Sequence, residues 1–134
     1  MSIITINNIT SYTEAVSYLP YLKYDEFNIL INNDKLSKED IFNLYIDIMN
    51  NKSALCTYNT HVLYEYLINL SDDQIEQISK LQINNYYFFM YLPKIELIKK
   101  YWKLDSNIFH GITNNNRISV VERKELIKNI LINK

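Results

Sequence analysis

One glycine and two prolines in a chain of 134 residues leave few ways to turn a tight corner. An average protein has roughly 7% glycine and 5% proline. Sheets joined by tight hairpins need residues at positive φ, usually glycine, whereas helices joined by short turns can end on asparagine. Asparagine is supplied in clusters between apolar runs, at Asn32-Asn33, Asn50-Asn51, Asn84-Asn85 and Asn114-Asn115-Asn116. The chain is therefore expected to be all-α, with these clusters at helix ends.

Helix starts are marked by four hydroxyls. Ser11, Ser37, Ser71 and Ser119 are each followed three residues on by Glu14, Asp40, Gln74 and Glu122, the spacing at which a side chain can accept from an unpaired first-turn N–H while a carboxylate or amide reaches back. Ile41, Leu44, Tyr45, Ile48 and Met49 follow at the spacing of one helical face. The reading places helices over 11–19, 24–32, 38–50, 58–69, 72–81, 85–91, 94–103 and 119–132. Ile3-Ile4-x-Ile6, dominated by β-branched residues, is expected to be a short extended N-terminal segment. The length and the 48% apolar content suit a single compact α-helical domain over 1–134, of about seven to eight short helices packed as antiparallel hairpins.

Two segments beginning Leu36-Ser37 and Leu70-Ser71 share an isoleucine five residues after the leucine and a closing Asn-Asn. An offset of 34 residues is about one helical hairpin, so 36–69 and 70–103 can be read as repeats of a short α-solenoid-like stack. Coincidence in a chain rich in Ile, Leu and Asn is the other reading.

Several chemistries lack their residues. Gly111 stands alone, which removes the glycine-rich phosphate loops. His61 and His110 are isolated, so no metal and no other cofactor is expected. Cys56 and His61 are five apart, off one helical face, and read as ordinary structural residues. The adjacent pairs Asp25-Glu26, Glu39-Asp40 and Asp72-Asp73 fall at helix starts, where the macrodipole favours negative charge, and need no catalytic role. The expectation is a non-enzyme. No apolar run approaches the ~20 residues of a membrane span and a lone cysteine forms no internal disulfide, so no membrane partner and a cytoplasmic location are expected.

From Leu81 to Leu92 there is no charge, and the stretch Tyr86-Tyr87-Phe88-Phe89-Met90-Tyr91 is apolar on all sides of a helix. A base-stacking platform would interleave aromatics with Lys or Arg to track phosphates. The run reads as core first and as a docking surface second.

Charge is divided along the chain. Up to Lys80 five basic residues face eleven acidic ones, and from Lys94 onward nine basic residues face four acidic. The acidic part invites a basic protein partner, docked through Asp25, Glu26, Asp34, Glu39, Asp40, Asp47, Asp72, Asp73 and Glu76. Together these features suggest a non-catalytic inhibitor, an immunity protein that neutralises a basic, nuclease-like toxin domain. Two alternatives stay open. One is a nucleic-acid-binding module using Lys94, Lys99, Lys100, Lys103, Arg117, Arg123, Lys124 and Lys128, with Tyr101 and Trp102 for stacking. The other is a viral helical-bundle antagonist that captures an amphipathic helix of a host protein.

Overall fold

The computed structural model describes residues 3–53 and 60–132. Over these residues the chain is all-helical, with ten α-helices and no strand. In chain order they are α1 (Ile3–Asn7), α2 (Tyr12–Tyr18), α3 (Tyr24–Ile31), α4 (Lys38–Asp47), α5 (Thr60–Glu65), α6 (Asp72–Ser79), α7 (Asn85–Tyr91), α8 (Ile95–Tyr101), α9 (Ser106–Thr113) and α10 (Val120–Ile132). A 3-10 turn, Leu19–Tyr21, follows α2, with Pro20 near its start. The expected 38–50 helix is α4 running into a π-helical turn, Ile48–Lys52, and α5 runs into a 3-10 turn, Tyr66–Asn69. Cys56 lies outside the described residues.

All four serines cap as their spacing indicates. Ser11, Ser37, Ser71 and Ser119 accept from the N–H groups of Glu14, Asp40, Gln74 and Glu122 at 3.0–3.2 Å. Gln74 and Glu122 reach back to the N–H of Ser71 and Ser119, closing full capping boxes. Each such cap is worth about 1 kcal/mol.

Two readings are corrected. The N-terminal segment is not extended but helical over Ile3–Asn7, because Ile6 and Ile9 are buried and burial outweighs a β-branched preference worth at most about 1 kcal/mol. A helix unforeseen from the sequence occupies Ser106–Thr113, where Asp105 accepts from the N–H groups of Asn107 and Ile108 at 2.8 and 3.2 Å. The lone glycine lies inside it. A Cβ on Gly111 would stand 2.4 Å from the carbonyl oxygen of Tyr86, so glycine is what lets α9 lie directly against the backbone of α7.

The chain forms two compact units, Met1–Leu63 and Tyr64–Lys134. In the first unit, Asn33 follows α3 and is buried. Its side-chain amide donates to the carbonyls of Ile6 and Ile9 at 2.9 and 3.0 Å, and its Oδ1 accepts from the N–H of Lys35 at 2.8 Å. The C-terminal ends of α1 and α3 are thereby fastened side by side, and the carbonyls at the end of α1 find donors they would otherwise lack.

The second unit contains the same device. Asn115, buried after α9, donates to the carbonyls of Phe89 and Leu92 at 2.8 and 3.0 Å and accepts from the N–H of Arg117 at 2.7 Å. It fastens α9 to the end of α7. The two clasps lie 82 residues apart, each inside one pattern: Asn32-Asn33-Asp34-Lys35-Leu36-Ser37-x-x-Asp40 and Asn114-Asn115-Asn116-Arg117-Ile118-Ser119-x-x-Glu122. Leu36 and Ile118 are buried in matching places, as are Leu44 and Leu126. In the 34-residue register, by contrast, the position of Asn33 is taken by the buried Leu67.

The aromatic run forms α7. Phe88 and Phe89 are buried edge to face, centroids 5.5 Å apart, and Phe88 meets Tyr101 in the same manner at 5.8 Å. Tyr86, Tyr87, Met90 and Tyr91 are half-buried around them. Full burial of one such ring contributes about 1.5–3 kcal/mol, which makes this helix the core of the second unit.

Replacing either clasp leaves two buried carbonyls and one N–H without partners, at about 1–3 kcal/mol. Asn33→Ala and Asn115→Ala are each expected to lower stability by that amount in urea denaturation, with Asn32→Ala, which removes only an exposed local bond to the Asn28 carbonyl, costing less.

Candidate functional site

The carboxylates singled out from the sequence divide into committed and uncommitted groups. Glu26 is 6% exposed, and its Oε1 accepts from the N–H of Lys23 at 3.0 Å, so it caps α3 instead of facing solvent. Asp47, half-buried, accepts from the Tyr12 hydroxyl. Asp72 pairs with Lys94 at 2.8 Å and Glu76 with Lys100 at 3.2 Å. Asp25, Asp34, Glu39 and Asp73 are exposed and Asp40 half-exposed, none with a side-chain partner among the described residues.

Within the first unit these residues sit at two places. Asp25 is in the first turn of α3, whereas Asp34, Glu39 and Asp40 lie at the α3–α4 turn. That turn is rigid for a stated reason: Asn33 binds the N–H of Lys35 across Asp34 while holding the α1 carbonyls. Lys35 is turned aside, its ammonium donating to Asn8 Oδ1 at 3.2 Å. The unit carries seven carboxylates against four lysines.

The basic set divides in the same way. Arg117 lies over the Tyr91 ring at 5.0 Å, and its guanidinium donates to the carbonyls of Tyr91 and Glu65 at 2.5 and 2.6 Å. Arg123 donates to the Asn115 carbonyl. Both arginines thus donate to backbone carbonyls, and Arg123 also to Asn116 Oδ1 at 3.4 Å. Lys94 and Lys100 are in the ion pairs above, and Glu76 raises the pKa of Lys100 as its hydrogen-bond acceptor. Lys99, Lys103, Lys124 and Lys128 remain exposed, without a partner among the described residues.

A cleft of about 410 Å³ opens in the second unit between the start of α9 and the end of α10, lined by Trp102, Leu104, Asp105, Ser106, Phe109, Ile130 and Leu131. Its walls are apolar apart from Asp105, whose Oδ1 is engaged in capping α9, and Ser106. Of these lining residues only Trp102 is named in the sequence reading, as core or as a stacking ring. Among the described residues no three His, Cys, Asp or Glu side chains gather as a metal-binding set, and no helix is long and apolar enough to cross a membrane.

Compared with family models, curated proteins and solved structures, the chain has no match. Function therefore rests on the chemistry of these surfaces.

The Tyr12–Asp47 contact links folding to alkaline pH. The Tyr12 pKa is pushed up to about 12, first by the Asp47 carboxylate that accepts from its hydroxyl and then by burial. Between the ordinary tyrosine value near 10 and this raised one, the unfolded chain has lost the proton that the folded chain keeps. The contribution of this bond is thus fully present below about pH 10 and is lost as pH rises through about 12. Equilibrium unfolding of wild type and Tyr12→Phe from pH 8 to 12 is expected to give a steeper alkaline fall for the wild type.

Proposed function

We propose that the protein acts by binding another protein, as a non-catalytic inhibitor of a basic partner of the nuclease-like toxin class, and that its first unit presents the docking surface. The observation that carries this reading is the α3–α4 turn. There the uncommitted carboxylates of Asp34 and Glu39 stand in solvent on a backbone that Asn33 holds in place. A preorganised surface loses little freedom on docking, and carboxylates on it steer a cationic partner by long-range attraction that salt weakens. Asp40 lies beside Asp34 and Glu39 in the first turn of α4, and Asp25 stands apart at the start of α3.

The basic residues favour a nucleic-acid reading less. Both arginines, whose forks suit phosphate best, donate to carbonyls of the chain itself, which leaves phosphate contact to the exposed Lys99, Lys103, Lys124 and Lys128.

The test is affinity capture from lysate of the native host, with and without nuclease treatment and at low and at high salt, with wild type beside the charge reversals Asp34→Lys and Glu39→Lys combined. The expected result is a basic protein retained by wild type at low salt, released at high salt and lost in the double variant, with the melting midpoint little changed. Retention that survives the reversal, or recovery of nuclease-sensitive material alone, contradicts the proposal.

A further inference from the structure

The internal duplication offers a way to read the cleft of the second unit, because the first unit shows the same positions covered. In the register set by Asn33 and Asn115, Leu22 corresponds to Leu104, Phe27 to Phe109, Ile48 to Ile130 and Met49 to Leu131. Lys23 and Asp105, the cap positions of α3 and α9, correspond as well.

Ile48 and Ile130 are both buried, but burial differs in the other three apolar pairs. Leu22 is 1% exposed and Leu104 71%, while Met49 is 7% exposed and Leu131 55%. Phe27 is buried and Phe109 only half-buried.

One hydrogen bond shows what meets Leu22 in the first unit, and a second shows where α5 joins that unit. The Ser53 hydroxyl, on extended backbone just after the π-helical turn, donates to the Leu22 carbonyl at 3.1 Å, and the Tyr45 hydroxyl donates to the carbonyl of Leu63 at 2.5 Å. Ser53, Val62 and Leu63 are themselves buried. At Leu22, then, a hydroxyl donor is in place, and the buried Val62 and Leu63 of α5 belong to the same unit. In the second unit the Leu104 carbonyl corresponds to that of Leu22, and it accepts no hydrogen bond among the described residues.

Three lysines neighbour lining residues in the chain, while the one carboxylate of the lining, Asp105, has its Oδ1 engaged in the cap of α9. Lys103 lies between Trp102 and Leu104 in the chain, and Lys124 and Lys128 precede Leu131 by seven and three residues, on the same side of α10. All three are exposed and without a partner among the described residues.

We propose that this cleft is a docking site for an amphipathic α-helix of a partner protein. The helix sets its apolar face on Leu104, Phe109 and Leu131, offers a donor to the Leu104 carbonyl, and carries acidic residues beside its apolar face to meet Lys103, Lys124 and Lys128. A second copy of this chain is the poorer occupant. Two-fold pairing would set this cleft against its own copy, so the same uncompensated lysines border both sides of the interface, and a surplus of like charge around it opposes association. The site is independent of the acidic turn in the first unit, so the inference stands or falls without that reading.

The probe is a peptide of residues 53–69 of this chain with Cys56→Ser, flanked at each end by two glutamates or, in a second version, by two lysines. Trp102 is the only tryptophan and lines the cleft, so its emission reports occupancy directly. The glutamate-flanked peptide is expected to shift that emission saturably with one-to-one stoichiometry, and to bind at least tenfold more tightly than the lysine-flanked one. Leu131→Asp and Leu104→Asp, at exposed positions, should each weaken binding at least tenfold while leaving the circular dichroism and the melting midpoint unchanged. The proposal is overturned if neither peptide gives a saturable shift, if affinity ignores both substitutions, or if the lysine-flanked peptide binds as well. It is equally overturned if sedimentation shows wild type dimerising in a manner that Leu131→Asp abolishes, since the cleft would then belong to a second copy.

Discussion

A buried side-chain amide pointed at two carbonyls organises each half of this molecule. Short helices leave a large share of their backbone groups unpaired at the ends, and α1 has five residues and α7 seven. With one glycine in the chain, C-terminal caps built on positive φ are scarce. Asn33 and Asn115 solve this from outside the helix, each donating both amide protons to the end of a neighbouring helix and anchoring the next turn through Oδ1. An aspartate there would oppose carboxylate oxygens to carbonyl oxygens, and a leucine, as at Leu67, would offer nothing to them.

From the clasp follow the features that give the protein its surfaces. The amide fixes the α3–α4 turn, and so the exposed Asp34 and Glu39 ride on rigid backbone. In the second unit the corresponding turn is tied further, because Arg123 donates to the Asn115 carbonyl and Arg117 reaches the carbonyls of Tyr91 and Glu65. Carboxylates are left outward at the first turn, whereas the two arginines at the second are drawn onto the backbone.

Much of the fold is legible in the chain. Four Ser-x-x-acid or amide signals produced four caps, and the scarcity of glycine excluded tight hairpins, because both rules concern groups within three or four residues of each other. The failures were at places where distant contacts decide. Ile3-Ile4-x-Ile6 looks extended, yet α1 is helical because Ile6 and Ile9 sink into the core and Asn33, 24 or more residues away, holds their carbonyls. The α9 helix starts on Asp105 without the Ser-x-x-acid signal, and the 2.4 Å approach of the Tyr86 carbonyl explains the glycine inside it. The candidate site was less legible still. A carboxylate at a helix start reads alike whether it is exposed, as Asp25, or folded back, as Glu26. The Asn-Asn-x-basic-apolar-Ser pattern, 82 residues apart, was present in the letters. Its meaning lay in which side chain is buried.

The most direct measurement of the central claim is hydrogen exchange at the side-chain amides, followed by nuclear magnetic resonance. If Asn33 and Asn115 clasp the helix ends as described, both of their NH₂ groups exchange as slowly as backbone amides of the buried core, and stand apart from exposed side-chain amides such as those of Asn8, Asn43 and Asn107. Exchange of these two groups at the rate of the exposed ones would contradict the account, since donors open to water cannot be what holds the two helix ends.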